Sequence, residues 1–473
     1  MSELPEGISP GEVPVPADSA SGIVLRRGGD GRAEVLLGRR ARTSSFMPGH
    51  EVFPGGVIEA LDEPASSGAL ARCVAREVQE ETGLGIRPED WIDAGERTTP
   101  PMFPRRFRNR FFVTLLDGPA GRQAPEPATA EFEQLAFCTP ASALQQWEAG
   151  RVRLPPPLLP ILRALEACSA GDPAGLARRV VEVNLLEEHA PRIEFIPGVW
   201  MLPLLTETLP PATHTNVWMP GAEAFVVIDP GSGDAGEQRR LEAVIERRRG
   251  LGATPLAVVL THRHRDHTAG ALNLARRLDV PLRADASVLQ ALVAHVDRAA
   301  PLPQRVPLAD GDQIELGGMT LQAMHTPGHA PGHLAFRLPE LNALIAGDLV
   351  SGLSTILIDP QLGDMGAYLD SLRRMRDLAT KLLLPGHGPP LPGRALDRLI
   401  GHREEREQRL LAQVGSGPTA LADIARGAYH DAPRMPAALT ERQALAHLIH
   451  LERRGRVRAL DATRASWARN GEV

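Results

Sequence analysis

Four short apolar runs in the second half of the chain each stop at a histidine or an aspartate. LAVVLTH ends at His262, LQAMHTPGH at His329, ALIAGD at Asp348 and KLLLPGH at His387. Runs of this kind read as buried strands. Each polar residue then falls just beyond the carboxyl end of a rigid element, from which several side chains can be aimed into one cleft. Helical stretches such as EQRRLEAVIERRR separate the runs, and the alternation predicts an α/β architecture. The densest part, THRHRDHTAG, holds His262, His264, Asp266 and His267. In an extended segment His262 and His264 point the same way, while Asp266 and His267 turn toward a second point. That arrangement predicts two ions rather than one. Imidazole nitrogen and carboxylate oxygen are the ligand set of zinc and of neighbouring divalent first-row metals.

At 473 residues the chain exceeds what one core organises, so two or three domains are expected. Residues 1–20, rich in Pro, Ser and acid, read as a disordered lead-in. A first α/β unit covers 21–166, and the small, turn-prone SAGDPAGLAR marks 167–191 as a linker. The strand and helix alternation fills 192–395, and 396–473 is mainly helical. The net charge of −6 gives no electrostatic reason for a polyanionic partner. Cys73, Cys138 and Cys168 are odd in number and lack metal-ligand spacing, which suits a reducing compartment. With no signal-peptide pattern, and no run near the ~18 apolar residues of a membrane helix, a cytoplasmic protein with no membrane partner is expected.

H-x-H-x-D-H, TPGHAPGH, GD and PGHG, in this order, resemble the metallo-β-lactamase-fold hydrolases, especially the branch of glyoxalase II-type thioesterases and related endoribonucleases. The resemblance implies an αβ/βα sandwich. It also implies one metal held by His262, His264 and His329, a second held by Asp266, His267 and His387, and Asp348 bridging. Zinc is the expected metal, with iron or manganese as alternatives. Asp229, in DPGSG, matches an early aspartate that orients a ligand histidine. Two such ions, about 3.5–4 Å apart, would lower the pKa of a bridging water and polarise the bond it attacks. Asp266 would both ligate and accept the hydrogen bond of the resulting hydroxide. His325 and His333 have no implied ligand role and read as ordinary core or surface histidines, with His333 placed to support a ligand.

The stretch ALARCVAREVQEETG reads as a helix. Ala71, Val74, Ala75 and Val78 form its apolar stripe, and Glu77, Glu80 and Glu81 share another face. Like charges at these spacings repel by about 0.2–0.5 kcal/mol per pair unless a cation compensates. Carboxylates on one helical face suit Mg²⁺, although three glutamates alone are ordinarily a solvated acidic surface. FPGG upstream, followed by REVQEETGL, resembles the Nudix box. Gly56 matches its opening glycine, Asp62 stands where glutamate is usual, and thirteen residues rather than seven precede Arg76. The resemblance implies an α/β/α domain in which Glu77, Glu80 and Glu81 bind Mg or Mn, Arg76 pairs with a carboxylate, and water attacks a diphosphate. LLGRRARTSSFMPGHEVFPGG and TTPPMFPRRFRNRFFV look like the coenzyme A-directed diphosphatases, with Arg108 and Asn109 where that branch commonly has Asp-Thr.

Residues 396–473 resemble a small winged-helix domain. Across 401–473 there are 12 arginines and 9 acidic residues, scattered along the helices. Phosphate tracking requires a concentrated stripe instead. Aromatic content of 4% leaves few stacking platforms for single strands. A lid or packing role is favoured over nucleic acid. The sequence therefore predicts a multidomain α/β hydrolase of small molecules. A thioester such as an acyl-coenzyme A is expected at the dinuclear site, and a nucleoside diphosphate conjugate at the Nudix site. The alternatives are an RNA endonuclease using the same dinuclear centre, and a Nudix half that only binds its ligand.

Overall fold

The computed structural model describes residues 11–29, 31–44, 46–59, 62, 67–121, 123–166, 172–294, 301–433 and 435–470. Contacts divide the chain into two compact units, one of Val13–Leu202 with Glu242–Arg247, the other of Pro203–Leu241 with Arg248–Val473 and, of the described residues before Val13, 11–12. No described helix is long and apolar enough to cross a membrane.

The first unit is built on a mixed sheet. Its strands are β1 (Ala17–Arg27), β2 (Ala33–Arg40), β3 (Glu51–Val52), β4 (Gly55–Val57), β5 (Ile92–Thr98), β6 (Phe107–Leu116) and β7 (Phe132–Cys138). The order is β3-β2-β1-β6-β5, with β4 on β1 and β7 on β2, and β1 runs parallel to β6. Alternation along the strands sends side chains to opposite faces. Ile23, Leu25, Val35 and Val113 enter one core, Val24, Leu36 and Phe112 the other. Helix α1 (Ser67–Thr82) covers the second face with Cys73, Val74, Ala75 and Val78. The first face is covered by α2 (Pro140–Glu148), α3 (Leu158–Glu166) and α4 (Pro173–His189). The result is the α/β/α layering expected from the sequence.

Two boundaries differ from those read in the sequence. Residues 17–20, placed in the lead-in, are strand, because β1 is paired on both sides there, Ser19 with Val57 of β4 and with Asn109 of β6. The small polar side chains hide this, since it is backbone pairing that holds them. Residues 173–189, placed in a linker, form α4. Asp172 caps it by accepting from the Gly175 N–H, Pro173 opens it, and Leu176, Ala177 and Val180 are buried in the core. The part of the linker at 167–171 lies outside the described residues, as do residues 1–10 of the lead-in. An antiparallel hairpin, β8 (Ile193–Ile196) with β9 (Val199–Leu205), follows α4.

In the second unit, β10 (His214–Pro220), β11 (Ala224–Ile228), β12 (Thr254–Val259), β13 (Leu282–Ala284) and β14 (Arg305–Pro307) lie side by side in reverse order, from β14 to β10. A second sheet runs in sequence from β15 (Gln313–Glu315) through β16 (Thr320–His325), β17 (Leu334–Leu338), β18 (Ala343–Ser351) and β19 (Leu382–His387) to β20 (Leu391–Pro392). Side chains of β10 join the sheets: Asn216 Nδ2 donates to the carbonyls of Pro385 and Gly388, and Trp218 Nε1 to that of Pro385. These bonds satisfy the irregular end of β19, where His387 sits. Helices α5 (Ala235–Gly250), α6 (Arg265–Thr268), α7 (Ala271–Leu278), α8 (Ala286–Val293) and α9 (Met365–Asp377) complete the layers.

The strand ALIAGD does not stop at Asp348. β18 continues to Ser351 because Leu349 and Val350 are buried and Ser351 pairs with His387. A register shift between Gly347 and Ser351 breaks the ladder at Asp348, the kind of irregularity that re-aims a side chain.

The carboxy-terminal segment contains α10 (Ala395–Gln413), β21 (Thr419–Ala420), α11 (Leu421–Ala428), α12 (Ala437–Arg453), β22 (Val457–Ala459) and β23 (Ser466–Arg469). Its three strands form a small sheet, β21-β23-β22. A core including Leu410, Ile424, Tyr429, Leu448 and Trp467 packs the helices together.

Candidate functional site

The polar strand ends of the second unit converge. His262 and His264 lie on the extended segment after β12, His264 stands at the amino end of α6, and α6 carries Asp266 and His267. His329 follows β16, Asp348 lies in β18, and His387 ends β19. All seven side chains meet. His264 Nδ1 is 2.9 Å from Nε2 of His262 and 2.9 Å from Nε2 of His329. His387 Nε2 is 3.3 Å from His267 Nε2 and 3.4 Å from an Asp266 oxygen. Asp348 lies between these groups, 3.4 Å from His267, 3.6 Å from His329 and 3.3 Å from His387. Three sets of donor atoms each fall within 4.8 Å: His262, His264 and His329; His262, His267 and Asp348; and Asp266, His267 and His387.

Fixed acceptors hold the far side of four of the five rings, those of His262, His267, His329 and His387. His267 Nδ1 donates to Asp229, His329 Nδ1 to the Leu357 carbonyl and His387 Nδ1 to the His214 carbonyl. Thr261 donates its hydroxyl to Asp229 and so accepts from His262 Nδ1. With the proton placed on Nδ1 by these partners, Nε2 presents a lone pair to the cluster. His333 is fully buried beside it. Its Nε2 accepts the backbone N–H of Asp348, and its Nδ1 faces Thr326. His325 is exposed at the end of β16 and takes no part.

Burial holds the imidazoles of His262 and His264 down, that of His264 to about 4, with neighbouring rings adding to the effect. Burial also opposes a charge on His387, yet Asp348 and Asp266 override it and raise this group to about 10. His267 is likewise raised against its burial by Asp348, Asp266 and Asp229. The carboxylates thus create a field that draws positive charge into a closed pocket. Asp348 Oδ1 is buried there without a hydrogen-bond partner. Converging lone pairs, an orphaned carboxylate oxygen and this field fit divalent cations.

In the first unit Glu77, Glu80 and Glu81 share one side of α1. Glu81 is buried, its Oε2 accepts the Gly55 N–H at 2.8 Å, and its Oε1 has no partner. Desolvation pushes its carboxyl up to about 8, helped by the charge of Glu77. A β-carbon at Gly56 would overlap the Glu77 carboxylate, so a larger residue there would displace that side chain. Arg76 forms a fork on Asp62, with Nε 3.1 Å from Oδ1 and Nη2 2.9 Å from Oδ2. It also reaches Glu77 at 3.0 Å and Glu80 at 3.1 Å. A buried, partly unpaired carboxylate beside two others fits a hard cation with oxygen ligands. Glu131, unmarked in the sequence reading, adds a charge acting on both Glu77 and Glu81. Asn109 is not turned to this cluster. Its Oδ1 accepts from Ser19 at 2.9 Å and Ser21 at 3.2 Å, and Arg108 pairs with Asp18.

Residues 211–387 match the family model of the metallo-beta-lactamase superfamily, and residues 16–156 that of the NUDIX domain. The two matched stretches do not overlap, and each falls on one of the two candidate clusters. It is similar to the lactamase-like protein adaB of Aspergillus niger, 33% identical over 204 residues, which cover 42% of this chain and 58% of that protein. The lactamase-like protein aptB of Emericella nidulans is 32% identical over 217 residues, covering 45% of this chain and 64% of its own length. The chain thus spans less than two thirds of these curated relatives. A beta-lactamase domain protein from Burkholderia ambifaria superposes with a TM-score of 0.50 at 24% identity, covering 59% of this chain and 93% of that one. That likeness shows the fold alone.

Proposed function

We propose that the chain is a metal-dependent hydrolase with two centres, and that its principal reaction is hydrolysis of a thioester, an acyl-coenzyme A or a related compound. The observation that carries this reading is the meeting of seven ligand-type side chains from four separate segments of the chain in adjoining donor sets. His262, His264 and His329 would hold one ion and Asp266, His267 and His387 the other, with Asp348 between them. A pair of divalent cations, zinc first, would supply activation of water and stabilisation of the developing oxyanion. The chain's own residues do the rest. Asp229, Thr261 and the carbonyls of Leu357 and His214 fix the rings, and Asp266 would accept a hydrogen bond from the attacking oxygen.

Glu77, Glu80 and Glu81 would hold Mg or Mn for diphosphate hydrolysis, with Arg76 tying the glutamates to Asp62. The pairing of a coenzyme A-like Nudix half with the second centre is what ranks a thioester first. The tail reads as a winged-helix packing element, and the free thiols of Cys73 and Cys138 suit a cytoplasmic setting.

The test is metal analysis of the purified protein, followed by hydrolysis assays on acyl-coenzyme A, acyl-glutathione, a chromogenic β-lactam, nucleoside diphosphate conjugates and RNA. Turnover of the thioesters with about two ions bound per chain is expected. RNA cleavage whose affinity falls steeply with salt would replace the thioester by a phosphodiester. In the Nudix half Glu80→Gln is expected to abolish diphosphatase activity, and equal rates with and without the substitution would leave that half a binding module.

A further inference from the structure

The carbonyl that orients His329 belongs to a stretch with no regular structure of its own, residues 355–359 between β18 and α9. Besides a local turn at Asp359, this stretch is held by the carboxy-terminal helices. Arg403 of α10 donates through Nη2 to the Ile356 carbonyl, and the Ile358 N–H donates to Gln443 Oε1 of α12 at 3.0 Å. Arg442 pairs with Asp359 at 3.0 Å, and Arg453 pairs with Asp364, the residue that caps α9. Leu357, whose carbonyl accepts from His329 Nδ1, thus lies between two residues whose backbone groups are gripped from the tail.

Arg403 and Gln443 are each only 2% exposed, in surroundings made by Ile356, Ile358, Tyr368, Ile400 and Ala446. The amide nitrogen of Gln443 has no partner. An apolar pair would fill this place without that desolvation cost. The Arg403 guanidinium also lies over the Tyr368 ring, whose hydroxyl donates at 2.9 Å to Leu349, the residue after Asp348. Polar groups kept in an apolar interface, all directed at the backbone beside one ligand's hydrogen-bond acceptor, have a positional purpose.

We infer that Gln443 and Arg403 are positioning residues for His329, so that the tail completes the ion site of His262, His264 and His329. This rests on the two-ion reading of the second unit. Partners that orient a ligand histidine typically change metal affinity by about 10–100-fold when removed. The effect should be confined to one ion, since His267 and His387 take their acceptors from Asp229 and His214.

The experiment uses the full chain loaded with Zn²⁺ or Co²⁺. Stepwise affinities are read by chelator competition, and the Co²⁺ visible bands report ligand geometry. Gln443→Leu is expected to weaken one ion by roughly 10-fold or more, leave the other at its wild-type affinity and shift the Co²⁺ bands. Gln443→Glu, which keeps an acceptor for the Ile358 N–H, should recover most of the loss. Arg442→Ala, an exposed change that does not threaten folding, should weaken the same ion to a smaller degree. Wild-type affinity for both ions in Gln443→Leu, or an equal loss of both, overturns the inference. If that variant does not fold, unchanged affinities in Arg442→Ala overturn it. A wild-type protein that takes up no metal overturns the two-ion reading and this inference with it, whereas normal wild-type loading with indifferent variants overturns this inference alone.

Discussion

Nδ1 of His267 lies 2.8 Å from Oδ2 of Asp229, whose two oxygens also take the N–H of Thr261 at 2.8 Å and its hydroxyl at 2.6 Å. Asp229 stands at a φ of +56°, a left-handed conformation that a short polar side chain tolerates. One carboxylate therefore sets two rings, that of His267 directly and that of His262 through Thr261. Asp229→Asn keeps the shape and removes the charge. It is expected to reduce metal retention or turnover by about 10–100-fold, read as metal content after dialysis against a chelator and as steady-state rate. Wild-type values for both would remove this role.

His264 Nδ1 faces two other ring nitrogens at 2.9 Å each and has no partner that could replace an ion. His264→Ala is expected to abolish hydrolysis and to lower bound metal by one ion per chain. His325→Ala, at an exposed ring, should change neither. Full metal content and rate in His264→Ala would refute the proposed centre.

The candidate ligands, which the structure brings together, were legible because chemistry restricts such residues to a few types and because they lie in or just after apolar runs of strand length. What fixes those ligands was less legible. The carbonyls of Leu357 and His214 belong to no residue type, so no pattern of side chains announces them. Thr261 was hidden for a related reason, since a threonine next to a ligand is unremarkable until Asp229 is seen to reach it. Helix α4 escaped because Gly175 and its small neighbours dilute the apolar stripe of Leu176, Ala177 and Val180, which is recognisable only against the sheet it covers. The continuation of β18 past Asp348 escaped because a charged residue inside a strand reads as its end. In the first unit the helix followed from spacing and the resemblance singled out its glutamates, whereas Glu131 lies fifty residues further along the chain in no recognised motif.

Asp62 is 2% exposed and Arg76 is its main partner. The guanidinium holds this carboxyl below the usual range, against the effect of burial. Asp62→Ala leaves a half-buried guanidinium with only Glu77 and Glu80. It is expected to cost about 3 kcal/mol, read by denaturant unfolding with a probe in the first unit. A change under ~0.5 kcal/mol would mean that the pair is incidental.

Asp431 joins Arg406 at 2.8 Å and also pairs with Arg409, and hydrogen bonds from Arg406 and then Arg409 hold its carboxyl down to about 2. Its folded value thus lies below the ~3.9 of an unfolded aspartate. The stabilisation is fully present above about pH 4 and is lost as pH falls toward 2. Partial exposure limits it to roughly 1 kcal/mol or less. Compared with wild type, Asp431→Asn should melt lower at pH 7, and the difference should close as the pH is lowered below 4. A difference independent of pH would contradict the assignment.

The fork of Arg76 on Asp62 closes across thirteen intervening residues, with an aspartate as its acid. In this chain the clasp is thus made without the seven-residue interval of the Nudix box, because Asp62 still reaches the guanidinium. A recognition pattern written with a rigid interval would pass over such chains, and one written around the clasp itself would gather them in.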